Sequence, residues 1–396
     1  MELYIHIPFC LQKCSYCDFV SYPDRSGEWE PYITMLLAEA EKISSGLSDS
    51  PSVIETVYIG GGTPSLLPSY LLSRMINGIK QYFDFSHLTE FTVEANPGTV
   101  NPEWAEAALR LGVNRISLGM QAAQPHILKF LGRIHSFKDV QHSVRVFRSA
   151  GFANLSLDLM FGIPGQSVDD WRVTLDAALS LSPDHISAYG LIPEEGTSLF
   201  ENLRKKTCSL PDPETEREMY DHTINRLKQE HYYQYEISNF ARPGYACQHN
   251  IGYWSQVPYI GLGASAVSML PSGQFSSVKP IHDDSRSSVL SYYRRKNPDS
   301  LESYYRMNCN ADFADCETDY ISDKDAEFET MMLGLRMNKG ISDSFFTEMH
   351  GIPMDSVYGN ALSRLSESGL LIYQQQICRL TRKGMDLQNS VLLEFM

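Results

Sequence analysis

The 396-residue sequence contains eight cysteines, but Cys208, Cys247, Cys309, Cys316 and Cys378 are scattered, and no fourth cysteine joins the three that cluster near the N-terminus. A structural zinc ion wants four ligands, and a cubane held wholly by protein wants four cysteines. Basic charge is also scarce: 33 Lys and Arg face 48 Asp and Glu, a formal net charge of −15. This argues against a nucleic-acid partner, because a phosphate backbone is bound by a basic face. An acidic membrane surface is repelled too, with peripheral association left open through a local patch. No apolar run has the length of a membrane span, and Met1 to Ile7 lacks the basic, apolar and small regions of a signal peptide. These absences predict a cytoplasmic, reducing location in which free thiols persist.

What is present is an ordinary globular composition, 43% hydrophobic and 20% charged, able to bury a sizeable core. The three clustered cysteines are Cys10, Cys14 and Cys17, spaced C-x3-C-x2-C. A short turn brings thiolates at these intervals onto one side of a loop. An incomplete shell leaves a metal position open to bind and activate a ligand, as in catalytic metal sites. Two plainer readings remain at this point: a zinc site completed by a distant histidine, or three unrelated core thiols.

Strand-like runs recur at Leu3 to Ile7, Thr56 to Ile59, Glu90 to Val93, Arg115 to Leu118, Leu155 to Met160 and His185 to Leu191. Helical periodicity fills the gaps, as in Trp29, Tyr32, Ile33, Leu36, Ala40 and Ile43. Strand and helix in alternation predict a parallel sheet with helices outside and ligands at the C-terminal strand ends. The cysteine loop follows the first strand, and Gly60-Gly61-Gly62-Thr63 follows the second. A P-loop is excluded there, because no Lys followed by Ser or Thr stands at the required place.

The cysteine spacing and the glycine turn resemble the radical S-adenosylmethionine (SAM) superfamily. In that superfamily three cysteines hold a [4Fe-4S] cluster and SAM chelates the fourth iron. Tyr4-Ile5-His6-Ile7-Pro8-Phe9-Cys10, Val93-Glu94-Ala95-Asn96-Pro97, Ser117-Leu118-Gly119-Met120-Gln121, Leu131-Gly132-Arg133 and Asp158-Leu159-Met160-Phe161-Gly162 follow in the order of the oxygen-independent coproporphyrinogen III dehydrogenase-like group. The resemblance implies that Tyr4 and Tyr16 pack against the cluster-bound ligand and that Gly61, Gly62 and Thr63 meet its methionine moiety. Glu94, Gln121, Arg133 and Asp158 would complete the SAM shell. Taken singly, Glu94 and Asp158 also read as capping acids, and Arg133 as a solvated helix residue.

Two departures separate this chain from the dehydrogenase. Phe19 stands where that enzyme has a further cysteine, and only nine residues precede Cys10, so its N-terminal extension is expected to be absent. Both features match the radical SAM haem chaperones. His249-Asn250-Ile251-Gly252-Tyr253-Trp254 resembles the haem-associated signature of that branch. A neutral imidazole is a good haem ligand, and Tyr253 and Trp254 offer flat faces to a macrocycle. Cys247 is an alternative thiolate ligand, and core packing of His249, Tyr253 and Trp254 is the plainer reading. Val267 occupies a position where relatives often carry histidine.

The expected architecture is a partial (β/α)6 radical SAM barrel over residues 1–270, a linker or surface segment over 271–320, and a small helical, winged-helix-like domain over 321–396. From Ile321 onward ten acidic residues outnumber seven basic ones, which favours packing or a lid over DNA binding. The implied function is a haem chaperone that holds a [4Fe-4S] cluster, SAM and haem, and passes haem to an acceptor protein. The alternative is a true radical enzyme acting on coproporphyrinogen III or another tetrapyrrole.

Overall fold

The structure, a computed structural model, describes residues 1–47, 52–271, 292–309, 313 and 315–396. Six strands pair in parallel and in chain order: β1 (Glu2–Ile7), β2 (Thr56–Gly61), β3 (Glu90–Ala95), β4 (Arg115–Gln121), β5 (Asn154–Phe161) and β6 (His185–Gly190). The connections carry α1 (Trp29–Gly46), α2 (Ser69–Ile79), α3 (Pro102–Arg110), α4 (Pro125–Phe130), α5 (Phe137–Ala150) and α6 (Val168–Ser180). Local chemistry starts several of them. Asn101 accepts from the Trp104 amide with Pro102 at the first helical position, and Ser136 with Asp139 and Ser167 with Asp170 form capping boxes.

Alternation along the strands divides the sheet into two faces. Leu3, Ile5 and Ile7 of β1, Val57 and Ile59 of β2, and Leu155, Leu157 and Leu159 of β5 join the helices in one hydrophobic core. Each such side chain contributes about 1.5–3 kcal/mol on burial. The intervening residues, including Tyr4, Tyr58, Glu94, Ser117 and Asp158, take the opposite face and line cavities. The barrel interior is therefore polar and aromatic, and the fold is held from outside by the helices.

Beyond β6 come α7 (Ser198–Arg204), α8 (Pro213–Gln229) and the strands β7 (Tyr233–Glu236) and β8 (Asn239–Ala241), which extend the sheet antiparallel from β6. After α9 (Gln248–Trp254), β9 (Tyr259–Leu262) pairs in parallel with the free side of β1. β10 (Val267–Pro271), β11 (Tyr292–Lys296) and β12 (Glu317–Tyr320) continue from it antiparallel.

This extension corrects the reading of 271–320 as a linker. Residues 272–291, 310–312 and 314 of that stretch lie outside the described residues. The rest contains β11, α10 (Leu301–Cys309) and β12, with Tyr293 and Tyr304 buried in the main core. Tyr304 donates to Glu39 Oε2 at 2.6 Å and Asn297 to Glu39 Oε1 at 2.6 Å. The apolar faces here are tyrosine rings within a Ser-, Asp- and Arg-rich stretch, so no aliphatic periodicity advertises them.

The C-terminal region contains α11 (Asp323–Gly334), β13 (Ile341–Ser342), α12 (Asp343–His350), α13 (Met354–Glu367) and the hairpin β14 (Leu371–Gln374) and β15 (Ile377–Leu380). Met331, Leu335, Phe346 and Leu362 form its own core, giving the small winged-helix-like unit. Ion pairs Arg217–Asp386 and Arg382–Asp221 tie it to α8, and Asn338 donates its amide to Tyr235 O at 3.0 Å.

Candidate functional site

The cysteine loop leaves β1 at Pro8 and is fixed by backbone contacts. Ser15 donates its amide to Leu131 O at 3.0 Å and its hydroxyl to Phe130 O at 3.1 Å, at the end of α4, and the Leu199 amide of α7 donates to Ser15 O at 2.8 Å. Gly132 has a φ of +75°, and a Cβ there would lie 3.5 Å from the Cys14 Cα. The glycine turn after β2 is pressed against the same loop. The Gly62 amide donates to Ile7 O at 2.8 Å, and a Cβ on Gly62 would meet Phe9 O at 2.6 Å.

Cys10, Cys14 and Cys17 line a cavity of about 480 Å³ together with Tyr16, Gly61, Gly62, Thr63, Glu94, Gln121, Arg133 and Asp158. Eight of the nine residues expected around SAM thus converge with the cysteines. The ninth, Tyr4, lines the adjoining cavity, which shares Tyr58, Gly61 and Glu94 with the first.

Sequence reasoning missed Asn96 and Arg115, although both sit at alternate, inward positions. Asn96 Nδ2 donates to Thr63 Oγ1 at 2.8 Å, and Thr63 donates to Cys10 Sγ at 3.5 Å. Arg133 Nη2 donates to Asn96 Oδ1 at 2.5 Å and Gly119 O at 2.8 Å, while its Nη1 points to Cys14 Sγ at 3.6 Å. Among the described residues Arg133 forms no ion pair with a carboxylate. A guanidinium so enclosed wants an anion, and a thiolate-bound cluster or the carboxylate of SAM meets that demand.

The two acids are held differently. Glu94 accepts from the Tyr58 hydroxyl at 2.8 Å and the Gly61 amide at 3.1 Å, and burial pushes it up to about 7. Asp158 accepts from Ser117 at 2.8 and 3.0 Å and from Ser156 at 3.3 Å; burial raises it as well. Arg115 lies buried beneath them, its charge favouring their ionised forms. Gln121 has a φ of +62° where the β4–β5 register slips, a conformation costing about 1–3 kcal/mol that turns it into the cavity.

Burial raises Cys10 and lifts Cys17 to about 11; a bound metal would supply the positive charge that holds such thiols deprotonated. Among the described residues no three His, Cys, Asp or Glu side chains are grouped to hold a metal ion, so the zinc reading finds no completed ligand set. Three cysteines that each bind a different iron of a cluster need no such convergence, and the donor set fits that group.

The second cavity, about 740 Å³, shares Asp18, Phe19, Tyr58, Gly61, Glu94 and Asn250 with the first. Its own wall includes Tyr4, His6, His249, Tyr253, Trp254, Tyr259, Val267, Met269 and Leu333, with Arg294 and Lys296 among them. Leu333 comes from α11, so the C-terminal domain closes part of this wall. Arg294 is paired with Glu329 at 2.7 and 2.5 Å, and Lys296 with Asp299 at 3.0 Å. Phe19 is 59% exposed between the two cavities.

All four residues of the expected haem signature line this cavity, yet His249 is not poised as a ligand. Its Nδ1 lies 2.7 Å from Thr56 Oγ1 and its Nε2 3.0 Å from the Tyr253 hydroxyl. Its ring stacks on Tyr58 at 5.3 Å, and burial lowers it to about 3. Both nitrogens are committed, so the imidazole acts here as a strut for the wall. Cys247 is excluded as a thiolate ligand: it lines neither cavity, is fully buried, and donates to Glu90 at 3.2 Å.

Comparison with known proteins agrees with this arrangement. The Radical SAM superfamily model matches residues 4–178 and the HemN C-terminal domain model residues 321–387. Coproporphyrinogen III oxidase (HemN) from Escherichia coli superposes with a TM-score of 0.82 at 20% identity, covering 100% of this chain and 89% of that one; this likeness shows the fold alone. The protein named heme chaperone HemW in Mycobacterium tuberculosis (strain ATCC 25618 / H37Rv) is 38% identical, covering 67% of this chain and 68% of its own length. Its namesake in Bacillus subtilis (strain 168) is 34% identical over 394 residues, 99% of this chain and 98% of the relative. On that near-complete match, the chain belongs to the HemW family of radical SAM proteins.

Proposed function

We propose that this protein is a haem chaperone, binding haem or a related tetrapyrrole as cargo and passing it to an acceptor protein in the cytoplasm. The observation that carries the reading is the second cavity. It has the size of a cofactor site, is walled by aromatic rings suited to a flat macrocycle, and has Arg294 and Lys296 in its lining for the propionates. Glu329 and Asp299 already pair with these cations, so bound propionates would share them, which suits cargo that must leave.

The cluster and SAM belong to the first cavity. Cys10, Cys14 and Cys17 would hold three irons of a [4Fe-4S] cluster, which when bound supplies an open iron for SAM. Arg133 stands ready for a carboxylate, Glu94 and Asp158 for an ammonium or ribose hydroxyls, and Gly61 and Gly62 keep the approach free of side chains. Phe19, Tyr58 and Glu94 belong to both walls, so in this reading the SAM site adjoins the cargo site. Oxidative decarboxylation of coproporphyrinogen III is the competing reading. Phe19, a carbon side chain at the position of that enzyme's further cysteine, stands against it.

The test uses anaerobically reconstituted protein given SAM and a strong reductant, with and without coproporphyrinogen III, beside a haem titration of the same sample. Saturable haem binding without substrate-dependent 5′-deoxyadenosine or decarboxylated product is the expected result. Product formed together with 5′-deoxyadenosine would overturn it.

A further inference from the structure

Asp158 is held in the first cavity by groups that the cavity does not expose. Ser156 and Asp158 alternate along the inner face of β5, and the strand register sets Ser117 of β4 and His185 of β6 on either side of Ser156. Ser117 and Ser187 line the cavity with Asp158, whereas Ser156 and His185 are fully buried and line neither cavity. Ser156 Oγ lies 3.3 Å from Asp158 Oδ1 and 2.8 Å from His185 Nδ1. His185 Nε2 lies 2.9 Å from the Tyr235 hydroxyl, and that oxygen accepts the Cys247 amide at 3.3 Å. A row of hydrogen bonds thus runs from Asp158 to the N-cap of α9.

Both ends of the row give its hydrogens the same direction. An amide only donates, so Tyr235 O receives the Cys247 N–H, and among the described residues His185 Nε2 is the acceptor for the Tyr235 O–H. A proton on Nε2 would leave the Tyr235 hydrogen buried without a partner. Burial keeps the His185 ring neutral, well below its usual 6.5, so its single proton is on Nδ1 and goes to Ser156 Oγ. The one Ser156 hydrogen is then left for Asp158. From the other end, an ionised carboxylate only accepts, which again makes Ser156 its donor. Ser117 donates to the same carboxylate at 2.8 and 3.0 Å, and Ser187 bonds it too. These hydroxyls favour the ionised form against the burial that opposes it.

We infer that His185 is a positioning residue for SAM: its Nδ1–H holds the Ser156 hydroxyl as a donor to Asp158, which meets the ammonium or a ribose hydroxyl of the ligand. The inference rests on the reading of Asp158 as part of the SAM shell. His185 acts only through Ser156, and Tyr235 fixes its ring from the far side. The other buried histidines, His6, His135 and His249, bond no side chain that bonds Glu94 or Asp158. An imidazole costs more to bury than a phenyl ring, and two placed nitrogens are what the phenyl would lack here.

The experiment titrates SAM anaerobically into cluster-loaded protein, for the wild type, Asp158→Asn, Ser156→Ala, His185→Asn and His185→Gln, and for His185→Gln combined with Ser156→Ala. An asparagine amide stands near the place of Nδ1 and keeps a donor for Ser156; a glutamine amide reaches the place of Nε2 and does not. The expected result is an affinity about tenfold weaker in His185→Gln and in Ser156→Ala, and within about threefold of the wild type in His185→Asn. Adding His185→Gln to Ser156→Ala should cost nothing further, because the hydroxyl through which His185 acts is already gone. A packing role alone would make the smaller asparagine the worse replacement. Wild-type affinity in His185→Gln, an asparagine variant weaker than the glutamine one, or losses that add in the double variant would overturn the inference. Wild-type affinity in Asp158→Asn would instead overturn the placing of Asp158 in the SAM shell, so the two failures are distinct. Ser156→Ala leaves His185 in place and decides the matter where neither His185 variant folds: undiminished affinity there overturns the inference.

Discussion

Arg133 Nη1 lies 3.6 Å from Cys14 Sγ, and its Nη2 is anchored on Asn96 Oδ1 and Gly119 O. The guanidinium therefore joins the cysteine loop, the β3 end and the β4 end without a carboxylate of its own. Hydrogen bonds to charged groups contribute about 1.5–3 kcal/mol, so Arg133→Gln is expected to weaken SAM binding roughly tenfold to a hundredfold. Calorimetric titration of SAM into cluster-loaded protein checks this. An affinity equal to that of the wild type would remove Arg133 from the shell.

The glycine turn makes a sharper steric demand. Gly61 has a φ of +109°, and a Cβ there would come within 2.5 Å of His6 Cε1. Gly98 has a comparable φ of +85° with nothing within 4 Å. Gly98→Ala should therefore cost only the backbone strain, about 1–2 kcal/mol, whereas Gly61→Ala adds a clash and should cost more. Denaturant midpoints of the two variants separate the contributions, and equal losses would mean that His6 yields without cost.

The cysteine loop and the six-strand barrel were legible because both are local patterns: three thiols within eight residues, and alternation within each strand. The same alternation marked Asn96 and Arg115 as inward-facing, a signal that motif matching passed over. Tyr4 lines the second cavity beside Tyr58, Gly61 and Glu94, which belong to both; its neighbourhood includes β9, paired with β1 across more than 250 residues of sequence, which no local pattern announces. Arg294 and Lys296 were hidden in a stretch whose buried faces are tyrosines, so composition suggested a surface linker. The commitment of His249 to Thr56 and Tyr253 is a tertiary fact with no local trace.

Glu2 supplies a pH dependence. It is buried beside His249, accepts from Thr56 Oγ1 at 3.1 Å, and is raised by burial from the usual 4.5 to about 8. A carboxyl that holds its proton more tightly when folded contributes stability that is complete at low pH and is lost as pH rises from about 4.5 through 8. His249, lowered from 6.5 to about 3, acts in the opposite sense: its contribution is complete above 6.5 and is lost as pH falls toward 3. Glu2→Gln should flatten the decline between pH 5 and 8 while leaving the acid limb in place. Urea midpoints across that range measure it, and an unchanged slope would mean that Glu2 is ionised in the folded protein.

His249→Ala separates a strut from an iron ligand. The ring bridges β2 and α9 through Thr56 and Tyr253 and stacks on Tyr58. Its removal leaves a cavity, releases two hydrogen bonds, and frees the Tyr253 hydroxyl to move. Losses of this kind are about 2–4 kcal/mol, so the unfolding midpoint should fall clearly. Haem affinity should fall with it, because the wall that carries Tyr253 and Trp254 loosens, while cluster absorbance, which depends on the cysteine loop across the barrel, should persist. The ferric haem that still binds should keep the coordination spectrum of the wild type. A new spectrum together with an unchanged unfolding midpoint would show that the imidazole leaves Thr56 and Tyr253 to bind iron, and would return His249 to the role its sequence motif suggests.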